Sequence, residues 1–378
     1  MNENKNISQG KKFVGIGHRI IIAGGGTGGH IFPALAIANE LMQLRPSIQI
    51  LFVGAKGKME MDKIPEAGYK IIGIDIAGFN RSSLIKNIGL PFKLIKSFLQ
   101  VRGIFKGYKP DGVIGVGGYS SFPVLRYAQL KRIPTFLHES NSFAGRTNIL
   151  LGRKANKIFV ATEGMEKFFP AQKIIITGNP VRKIIAKSTV TRTEAIHFFQ
   201  LDENKKTVLV VGGSLGAKSI NDAIAKQIDS FEKNDFQLIW QTGKTTAGKY
   251  ISIANGRKNI WVKDFIYEMQ MAYAAADAVV SRAGAMAVSE LCIVRKPVIF
   301  VPFPNASEDH QTANAMYLVN KNAALIVKDG EAPFVLIDVL TELMRSEILQ
   351  SQLKENIAKL AIANADEIIA KEILKNLK

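Results

Sequence analysis

Short continuous runs of β-branched and aliphatic residues recur along this chain, and most are followed by segments whose apolar positions repeat with helical spacing. In the first half these runs predict strands at residues 20–23, 48–53, 70–74, 112–115, 134–137, 158–161 and 174–177. In the second half they predict strands at residues 207–211, 236–240, 260–262, 278–281 and 297–301. Apolar strands that alternate with helices are typical of parallel sheets covered on both faces. The pattern therefore predicts an α/β protein with doubly wound sheets.

The alternation occurs twice, and Gly178, Asn179 and Pro180 interrupt it between the two halves. A chain of 378 residues is longer than one ordinary core needs, so we expect two Rossmann-like domains. We assign residues 12–180 to the first domain and residues 181–357 to the second, facing each other across a cleft. Residues 351–378 have the pattern of one amphipathic helix, and we expect its last part, residues 358–378, to pack back on the first domain.

A glycine-rich turn follows the first strand of each half, at residues 24–29 and 212–217. Glycines let the backbone approach a ligand closely. A helix follows each turn, predicted to begin at Pro33 in the first half, and the N-terminus of a helix attracts anions. A dinucleotide site of the Rossmann type also needs a carboxylate after the second strand to hold the ribose. Here that strand ends in Gly54, Ala55 and Lys56, which argues against NAD.

The formal net charge of +18 indicates an anionic partner. Residues 76–110 contain no Asp or Glu, and their lysines and arginines are interleaved with aliphatic and Phe side chains. This pattern is typical of a segment that lies on an anionic membrane surface, although a core helix with a solvated basic face fits it too. Nucleic acid is disfavoured because no series of Tyr or Trp is available for stacking. The predicted membrane residues are Leu84, Ile85, Lys86, Phe92, Lys93, Ile95 and Lys96.

Cellular location is indicated by the beginning of the chain and by its single cysteine. The first ten residues are polar, and no apolar run is long enough to span a bilayer. Cys292 lies in an apolar run, which predicts a reduced core cysteine. We therefore expect a cytoplasmic protein that binds peripherally to the inner face of the plasma membrane.

Six motifs occur in a fixed order: GGGTGGH, GVGGYSSFP, HESN, GNPVR, GGSLGA and SRAGAMAVSE. Together they resemble the peptidoglycan N-acetylglucosaminyltransferases that convert lipid I to lipid II, over residues 20–320 or so. The resemblance implies a GT-B fold, the donor UDP-N-acetylglucosamine and an acceptor linked to undecaprenyl diphosphate. The sugar would be transferred with inversion to the 4-hydroxyl of the muramoyl-pentapeptide of lipid I. No pair of DxD-type carboxylates occurs, so we expect no metal and no cofactor.

The resemblance assigns donor-binding residues to both domains. Ser214, Arg182 and Arg282 would contact the diphosphate, and Glu290 would accept hydrogen bonds from the ribose hydroxyls. The backbone at Ile266, or at the neighbouring Phe265, would clamp the uracil, although two core apolar residues fit that position equally well. The resemblance also assigns His310 and Gln311 to contacts with the sugar. On the first domain's side of the donor site it assigns Thr27, Gly28, Gly29 and Asn141.

His30 is the candidate general base, because a neutral imidazole can take the proton of the attacking hydroxyl. Glu139, or the neighbouring His138, is the rival base or the partner that orients it. The turn after the fourth predicted strand would contact the acceptor diphosphate through Gly118, Tyr119, Ser120 and Ser121.

Other functions stay open at the level of the sequence. Another GT-B glycolipid glycosyltransferase or a UDP-sugar epimerase would share the donor site, and the choice of UDP-sugar distinguishes them. An NAD-dependent oxidoreductase is a distant alternative. A non-enzymatic peripheral membrane protein would leave both glycine turns and Glu290 unexplained.

Overall fold

The computed structural model describes residues 17–78, 89–245 and 247–377. Two parallel sheets organise these residues, one of seven strands and one of six. The strands of the first sheet are β1 (Arg19–Ala23), β2 (Gln49–Ala55), β3 (Lys70–Ile74), β4 (Gly112–Gly115), β5 (Thr135–Glu139), β6 (Lys157–Val160) and β7 (Ile174–Ile176). The strands of the second sheet are β8 (Lys206–Val211), β9 (Phe236–Gln241), β10 (Ile260–Lys263), β11 (Ala278–Ser281), β12 (Val298–Phe300) and β13 (Leu325–Ile326).

The strands follow an equivalent spatial order in the two domains. The order is β3-β2-β1-β4-β5-β6-β7 in the first domain and β10-β9-β8-β11-β12-β13 in the second, so the first sheet has one additional strand at the β7 edge. β1 pairs with both β2 and β4, and β8 pairs with both β9 and β11. The order of the strands therefore reverses beside β1 and beside β8. Ligands of open parallel sheets bind at this point, outside the carboxyl ends of the strands. Both glycine turns lie there, and the two-domain α/β architecture predicted from the sequence is confirmed.

Helices cover both faces of each sheet. The first half contains α1 (Gly28–Leu44), α2 (Glu60–Glu66), α3 (Leu90–Tyr108), α4 (Ser121–Leu130), α5 (Arg146–Gly152), α6 (Lys183–Ala186) and α7 (Arg192–Phe198). The second half contains α8 (Lys218–Lys226), α9 (Asp229–Lys233), α10 (Ala247–Ala254), α11 (Met269–Ala275), α12 (Ala285–Val294), α13 (His310–Val319), α14 (Ala332–Arg345), α15 (Glu347–Ala358) and α16 (Ala365–Lys375). None of the helices in the described ranges is long and apolar enough to cross a membrane.

The first helix begins before the position predicted from the sequence. Thr27 has extended backbone angles, φ −144° and ψ 158°, and its carbonyl accepts a hydrogen bond from the Ile31 amide at 3.1 Å. α1 therefore begins at Gly28 and Pro33 lies inside it. The helix N-terminus, with its unpaired amides, follows the glycine turn directly.

The end of the chain is not the single helix that its periodicity predicts. α15 ends at Ala358 and α16 begins at Ala365. Ile357 belongs to the core of the second domain, whereas Ile369 and Ile373 lie in a core with Ile20 and Ile37 of the first domain. The helix is interrupted because its two halves bury their apolar faces against different domains.

Candidate active site

The glycine turns after β1 and β4 pack against each other backbone to backbone. The Gly25 amide donates to the Gly117 carbonyl at 3.4 Å, and a side chain on Gly118 would lie 2.6 Å from the Gly25 carbonyl oxygen. A side chain on Gly117 would meet the His30 ring at 2.8 Å. Glycine is needed here because the two turns and the histidine approach more closely than a Cβ atom allows.

His30 lies in the first turn of α1, partly buried against this pair of turns. Its Nδ1 is 3.0 Å from the Gly25 carbonyl oxygen and 3.5 Å from Thr27 Oγ1. A carbonyl only accepts, so Nδ1 carries the hydrogen and Nε2 carries the lone pair. Burial lowers the pKa of His30 below 6.5, with a further contribution from His310, while the Gly25 bond and the carboxylate of Glu139 oppose the shift. The ring is therefore neutral at neutral pH.

Glu139 ends β5 and is buried. One of its oxygens accepts from the Asn141 amide at 3.1 Å and from Asn141 Nδ2 at 3.3 Å. The other accepts from the Gly145 amide at 3.0 Å and from Asn148 Nδ2 at 2.9 Å. Each oxygen thus already has two donors, which is close to its full capacity. The carboxylate shapes the loop that carries Asn141.

His138, the other rival base, is completely buried. Burial lowers its pKa to about 4, and the nearby His30 adds to the shift. A ring without solvent exposure has no route to a substrate hydroxyl, which argues against His138 as the base.

Glu60 was not singled out by the sequence patterns, yet it holds the glycine turn of the first domain. Its carboxylate is 1% exposed and accepts from the Gly26 amide at 2.8 Å and the Ala55 amide at 3.0 Å. The Gly26 amide is therefore already bonded and does not point free at a ligand. The only signal in the sequence is a carboxylate at the start of a short helix after β2.

The predicted acceptor-binding turn lies beside His30, but its side chains differ in exposure. Tyr119 is partly buried and follows Gly118, and burial raises the pKa of its phenol. Ser120 and Ser121 are buried, and the Ser121 hydroxyl donates to the Gly118 carbonyl at 2.7 Å. Contacts to a ligand are thus open to Tyr119 and to the backbone, whereas the Ser121 hydroxyl faces inward.

In the second domain the glycine turn, residues 212–217, packs against the end of β9. Ser214 is exposed, and its carbonyl accepts from the Lys244 amide at 3.4 Å. A Cβ atom on Gly216 would lie 2.1 Å from the Thr242 carbonyl oxygen. Ile266 is buried, and its amide donates to Gln241 Oε1 at 3.0 Å. Of the backbone groups predicted to clamp a base at Ile266, the N–H is therefore already bonded within the protein.

Glu290 is 6% exposed and is held by two partners. Arg182 donates to Oε1 from Nε at 3.1 Å and from Nη2 at 3.0 Å, and the Tyr273 hydroxyl donates to Oε2 at 3.0 Å. Burial raises the pKa of Glu290, and Arg182 and Tyr273 counteract the shift. Oε2 keeps room for a further donor. Tyr273, which no sequence pattern indicated, belongs to this group.

Arg282 is bonded inside the domain. Its Nη1 donates to Asp329 and to the carbonyls of Val301 at 2.9 Å and Pro302 at 3.2 Å, and Nη2 donates to Ser219 Oγ at 3.3 Å. The guanidinium therefore braces the segment after β12. These bonds use Nη1 and one hydrogen of Nη2, so the Nε hydrogen and the second Nη2 hydrogen are left to donate to a diphosphate.

α13 carries the two predicted sugar-contacting residues toward the first domain. The Gln311 side chain accepts from the Phe303 amide at 3.0 Å, and His310 Nδ1 is 2.5 Å from the Ser307 carbonyl oxygen. Asn314, on the same helix, accepts from the Ser142 amide at 2.8 Å and donates to Asn141 Oδ1 at 3.2 Å. This buried amide joins the two domains and was not predicted.

The predicted site residues thus gather at the facing carboxyl ends of the two sheets, apart from those of the basic segment. Thr27, Gly28 and Gly29 begin α1, and Asn141 contacts α13 through Asn314. Within the described residues, no group of three or more His, Cys, Asp or Glu side chains is arranged to hold a metal ion.

Two family descriptions match the chain. Residues 20–160 match the glycosyltransferase family 28 N-terminal domain, and residues 207–372 match the glycosyltransferase family 28 C-terminal domain. The first matched segment includes β1 to β6 and the second includes β8 to β13, so the glycine turns of both domains are covered.

Curated relatives and a solved structure extend over nearly the whole chain. Enzymes from Bacteroides thetaiotaomicron and Bacteroides fragilis are 51% and 49% identical, covering 94% and 99% of this chain and 97% and 99% of the relatives. Both are named UDP-N-acetylglucosamine--N-acetylmuramyl-(pentapeptide) pyrophosphoryl-undecaprenol N-acetylglucosamine transferase. The crystal structure of Acinetobacter baumannii MurG is 32% identical, with a TM-score of 0.78 over 95% of this chain and 99% of that one. The chain therefore belongs to the family 28 glycosyltransferases of this N-acetylmuramyl-(pentapeptide) pyrophosphoryl-undecaprenol N-acetylglucosamine transferase type.

Proposed function

We propose that this enzyme transfers N-acetylglucosamine from UDP-N-acetylglucosamine to the 4-hydroxyl of the muramoyl-pentapeptide of lipid I, giving lipid II. Family membership supports the donor and acceptor classes, because the relatives carry them in their names. The observation that carries the mechanism is the 3.0 Å contact of His30 Nδ1 with the Gly25 carbonyl oxygen, which leaves the lone pair of the imidazole on Nε2. A base and a sugar-contacting helix then face each other across one cleft.

The second domain holds the donor in this proposal. Glu290 keeps one acceptor position on Oε2 for a ribose hydroxyl, while Arg182 holds its other oxygen. The exposed Ser214 and the turn around it meet the diphosphate. Departure of UDP develops negative charge, and donors already fixed in place lower that barrier. Arg282 braces the segment after β12 through Nη1, and its Nε and second Nη2 hydrogens remain able to donate to the diphosphate.

The first domain supplies the acceptor and the base. Nε2 of His30 takes the proton of the 4-hydroxyl as its oxygen attacks the anomeric carbon, and the bond to the UDP oxygen breaks with inversion. The Gly25 carbonyl keeps the proton on Nδ1 and so keeps the lone pair on Nε2. Glu139 positions the loop around Asn141, because its four hydrogen bonds leave it little capacity to act as the base.

We also propose that α3 docks the enzyme on an anionic membrane surface from the cytoplasmic side. Phe92, Ile95 and Leu99 lie on one face of this helix and are 75%, 61% and 62% exposed. Arg102 and Lys106 continue the same face and are exposed too. An apolar stripe that continues into a basic one suits insertion between acidic headgroups. Lys93 and Lys96 flank the stripe, whereas Leu84, Ile85 and Lys86 lie outside the described residues.

Titration calorimetry and a transfer assay test the proposal together. The purified enzyme in EDTA is titrated with UDP-N-acetylglucosamine, UDP-glucose and NAD, and is then supplied with a lipid I analogue. We expect saturable binding of UDP-N-acetylglucosamine over the other two, and formation of the β-linked disaccharide. Preference for another UDP-sugar, interconversion of the donor without transfer, or binding of NAD alone would reject the assignment.

A further inference from the structure

The two loops assigned to the donor's diphosphate and to its base are joined by one buried side chain. Gln241 ends β9 and is 3% exposed. Its Nε2 donates to the Gly213 carbonyl at 3.1 Å, and its Oε1 accepts from the Ile266 amide at 3.0 Å. Gly213 belongs to the glycine turn after β8, and Ile266 lies in the loop after β10. One amide group thus connects the ends of three neighbouring strands.

The backbone around Gln241 is fixed independently. The Thr242 amide donates to the Lys263 carbonyl at 3.0 Å, and the Gly243 amide donates to the Asp264 carbonyl at 3.0 Å. Asn221 Nδ2 donates to the Thr242 carbonyl at 2.7 Å. The segment after β9 therefore keeps its place without the Gln241 side chain. What that side chain adds is a direct tie between the glycine turn and the loop at Ile266.

We infer that Gln241 is a positioning residue that fixes the spacing between the diphosphate-binding turn and the nucleobase-binding loop. The inference rests on the proposed function, because it takes a uridine diphosphate as the ligand of both loops. A ligand that spans two loops binds more tightly when the loops are held at the bound spacing beforehand. Gln241 contacts neither the sugar nor the acceptor in this assignment, so it acts on donor affinity and not on the chemical step.

The chain offers a matched control on the same strand. Gln237 lies four positions before Gln241, on the same face of β9, and is 1% exposed. Its Nε2 donates to the Asp202 carbonyl at 2.7 Å and to Thr207 Oγ1 at 3.0 Å, and its Oε1 accepts from the Asp202 amide at 3.0 Å. It makes the same kind of bridge at the opposite end of the strand, away from the cleft.

Gln241→Met keeps the volume and removes both hydrogen bonds. We expect the dissociation constant and the KM for UDP-N-acetylglucosamine to rise about tenfold, which is the scale of one buried group left unpaired. The acceptor KM stays unchanged, and kcat changes less than the donor KM. Affinity for UDP falls more than affinity for uridine, because uridine does not reach the glycine turn. Gln237→Met lowers the melting temperature but leaves donor affinity within about twofold of wild type.

Gln241→Glu is the second variant and tests the inference if the methionine variant does not fold. A carboxylate still accepts from the Ile266 amide but offers no hydrogen to the Gly213 carbonyl. We expect UDP again to lose more affinity than uridine.

The outcomes distinguish failure of the positioning role of Gln241 from failure of the proposed function. Folded Gln241 variants that bind UDP-N-acetylglucosamine as tightly as wild type, or that lose equal affinity for UDP and uridine, overturn the inference. An equal loss in Gln237→Met overturns it too, because the effect would then be one of general stability. Wild-type enzyme that binds no UDP-sugar overturns the proposed function, and the positioning role with it.

Discussion

At the scale of single residues, the proposed role of His30 as the base depends on the protonation of its imidazole. Burial lowers the pKa of its imidazole below 6.5, so the neutral base is present throughout the neutral range. We predict that His30→Ala lowers kcat by roughly 10²–10⁴-fold with little change in the affinity for UDP-N-acetylglucosamine. Steady-state kinetics and calorimetry on the same preparation measure the two quantities.

The pH profile provides the control for this prediction. A base must be deprotonated to act, so a lowered pKa places the acidic limb of kcat/KM below pH 6.5. The variant should lack that limb. Near-normal turnover of His30→Ala, or an acidic limb that persists unchanged in this variant, would rule out His30 as the general base. Glu139 would then be the remaining candidate.

Glu290 has a structural role, because Arg182 and Tyr273 hold it, and the proposed contact with the ribose would be additional. We predict that Glu290→Ala weakens binding of UDP-N-acetylglucosamine by about tenfold or more, since a charge-assisted bond to the ribose is lost. Tyr273→Phe removes only the hydroxyl that donates to Oε2 and should weaken binding less. Calorimetric dissociation constants compare the two variants. An unchanged constant in Glu290→Ala would reject the ribose contact.

At the scale of elements, α3 presents an apolar surface that the described part of the first domain leaves uncovered. Phe92, Ile95 and Leu99 are each more than half exposed, while Val101 and Phe105 of the same helix are buried in the core. We predict that replacing the three exposed residues together with Ser lowers co-sedimentation with anionic vesicles by about tenfold or more, because their apolar surface no longer inserts. Binding of UDP-N-acetylglucosamine should not change.

The second domain supplies the control for this surface. Phe334 and Ile348 are 68% and 75% exposed and lie on α14 and α15. The double Ser variant at these two positions should keep the vesicle binding of wild type. Equal losses in both variants would mean that exposed apolar area, and not α3, governs adsorption.

The helices and strands show how much of the fold could be predicted from the sequence. The strands Lys70–Ile74, Gly112–Gly115 and Ala278–Ser281 match the predicted ranges residue for residue. The last two are buried along their whole length, and a buried parallel strand is apolar on both faces. The tail was predicted as one helix, since periodicity shows that a face is buried but not which core buries it. α14 has strong apolar periodicity but carries no motif and was missed.

Some residues of the cleft could be predicted from the sequence and others could not. Motif residues such as His30 and Glu290 could be named because their neighbours in sequence carry the resemblance. Glu60, Gln241 and Asn314 could not, because each bonds to backbone that is distant in sequence. Each is a polar side chain at the end of a strand or within a helix, and its role can be recognised only once the strand order is known.

At the scale of the whole molecule, the last helix of the described residues returns to the first domain. α16 packs on α1, and Ile369 and Ile373 are fully buried in the first domain's core. Lys183 reinforces this contact, because it donates to Glu40 of α1 at 2.8 Å and lies 4.0 Å from Asp366 of α16. The two domains are therefore connected by two chain crossings, at residues 177–182 and 359–364.

Because α16 belongs to the core of the first domain, we predict that truncating one of its buried side chains lowers the stability of that domain only. Ile369→Ala should destabilise the first domain by roughly 2–5 kcal/mol, the usual cost of truncating a buried Ile. Hydrogen exchange followed by mass spectrometry resolves the effect by segment. Amides of β1, β2 and α1 should exchange faster, whereas those of β8 and β9 keep their protection. Leu340→Ala on α14, buried in the second domain's core, should give the reverse pattern. If Ile369→Ala speeds exchange equally in both sheets, the two domains unfold as one unit, and the returning helix stabilises the whole molecule instead of the domain it covers.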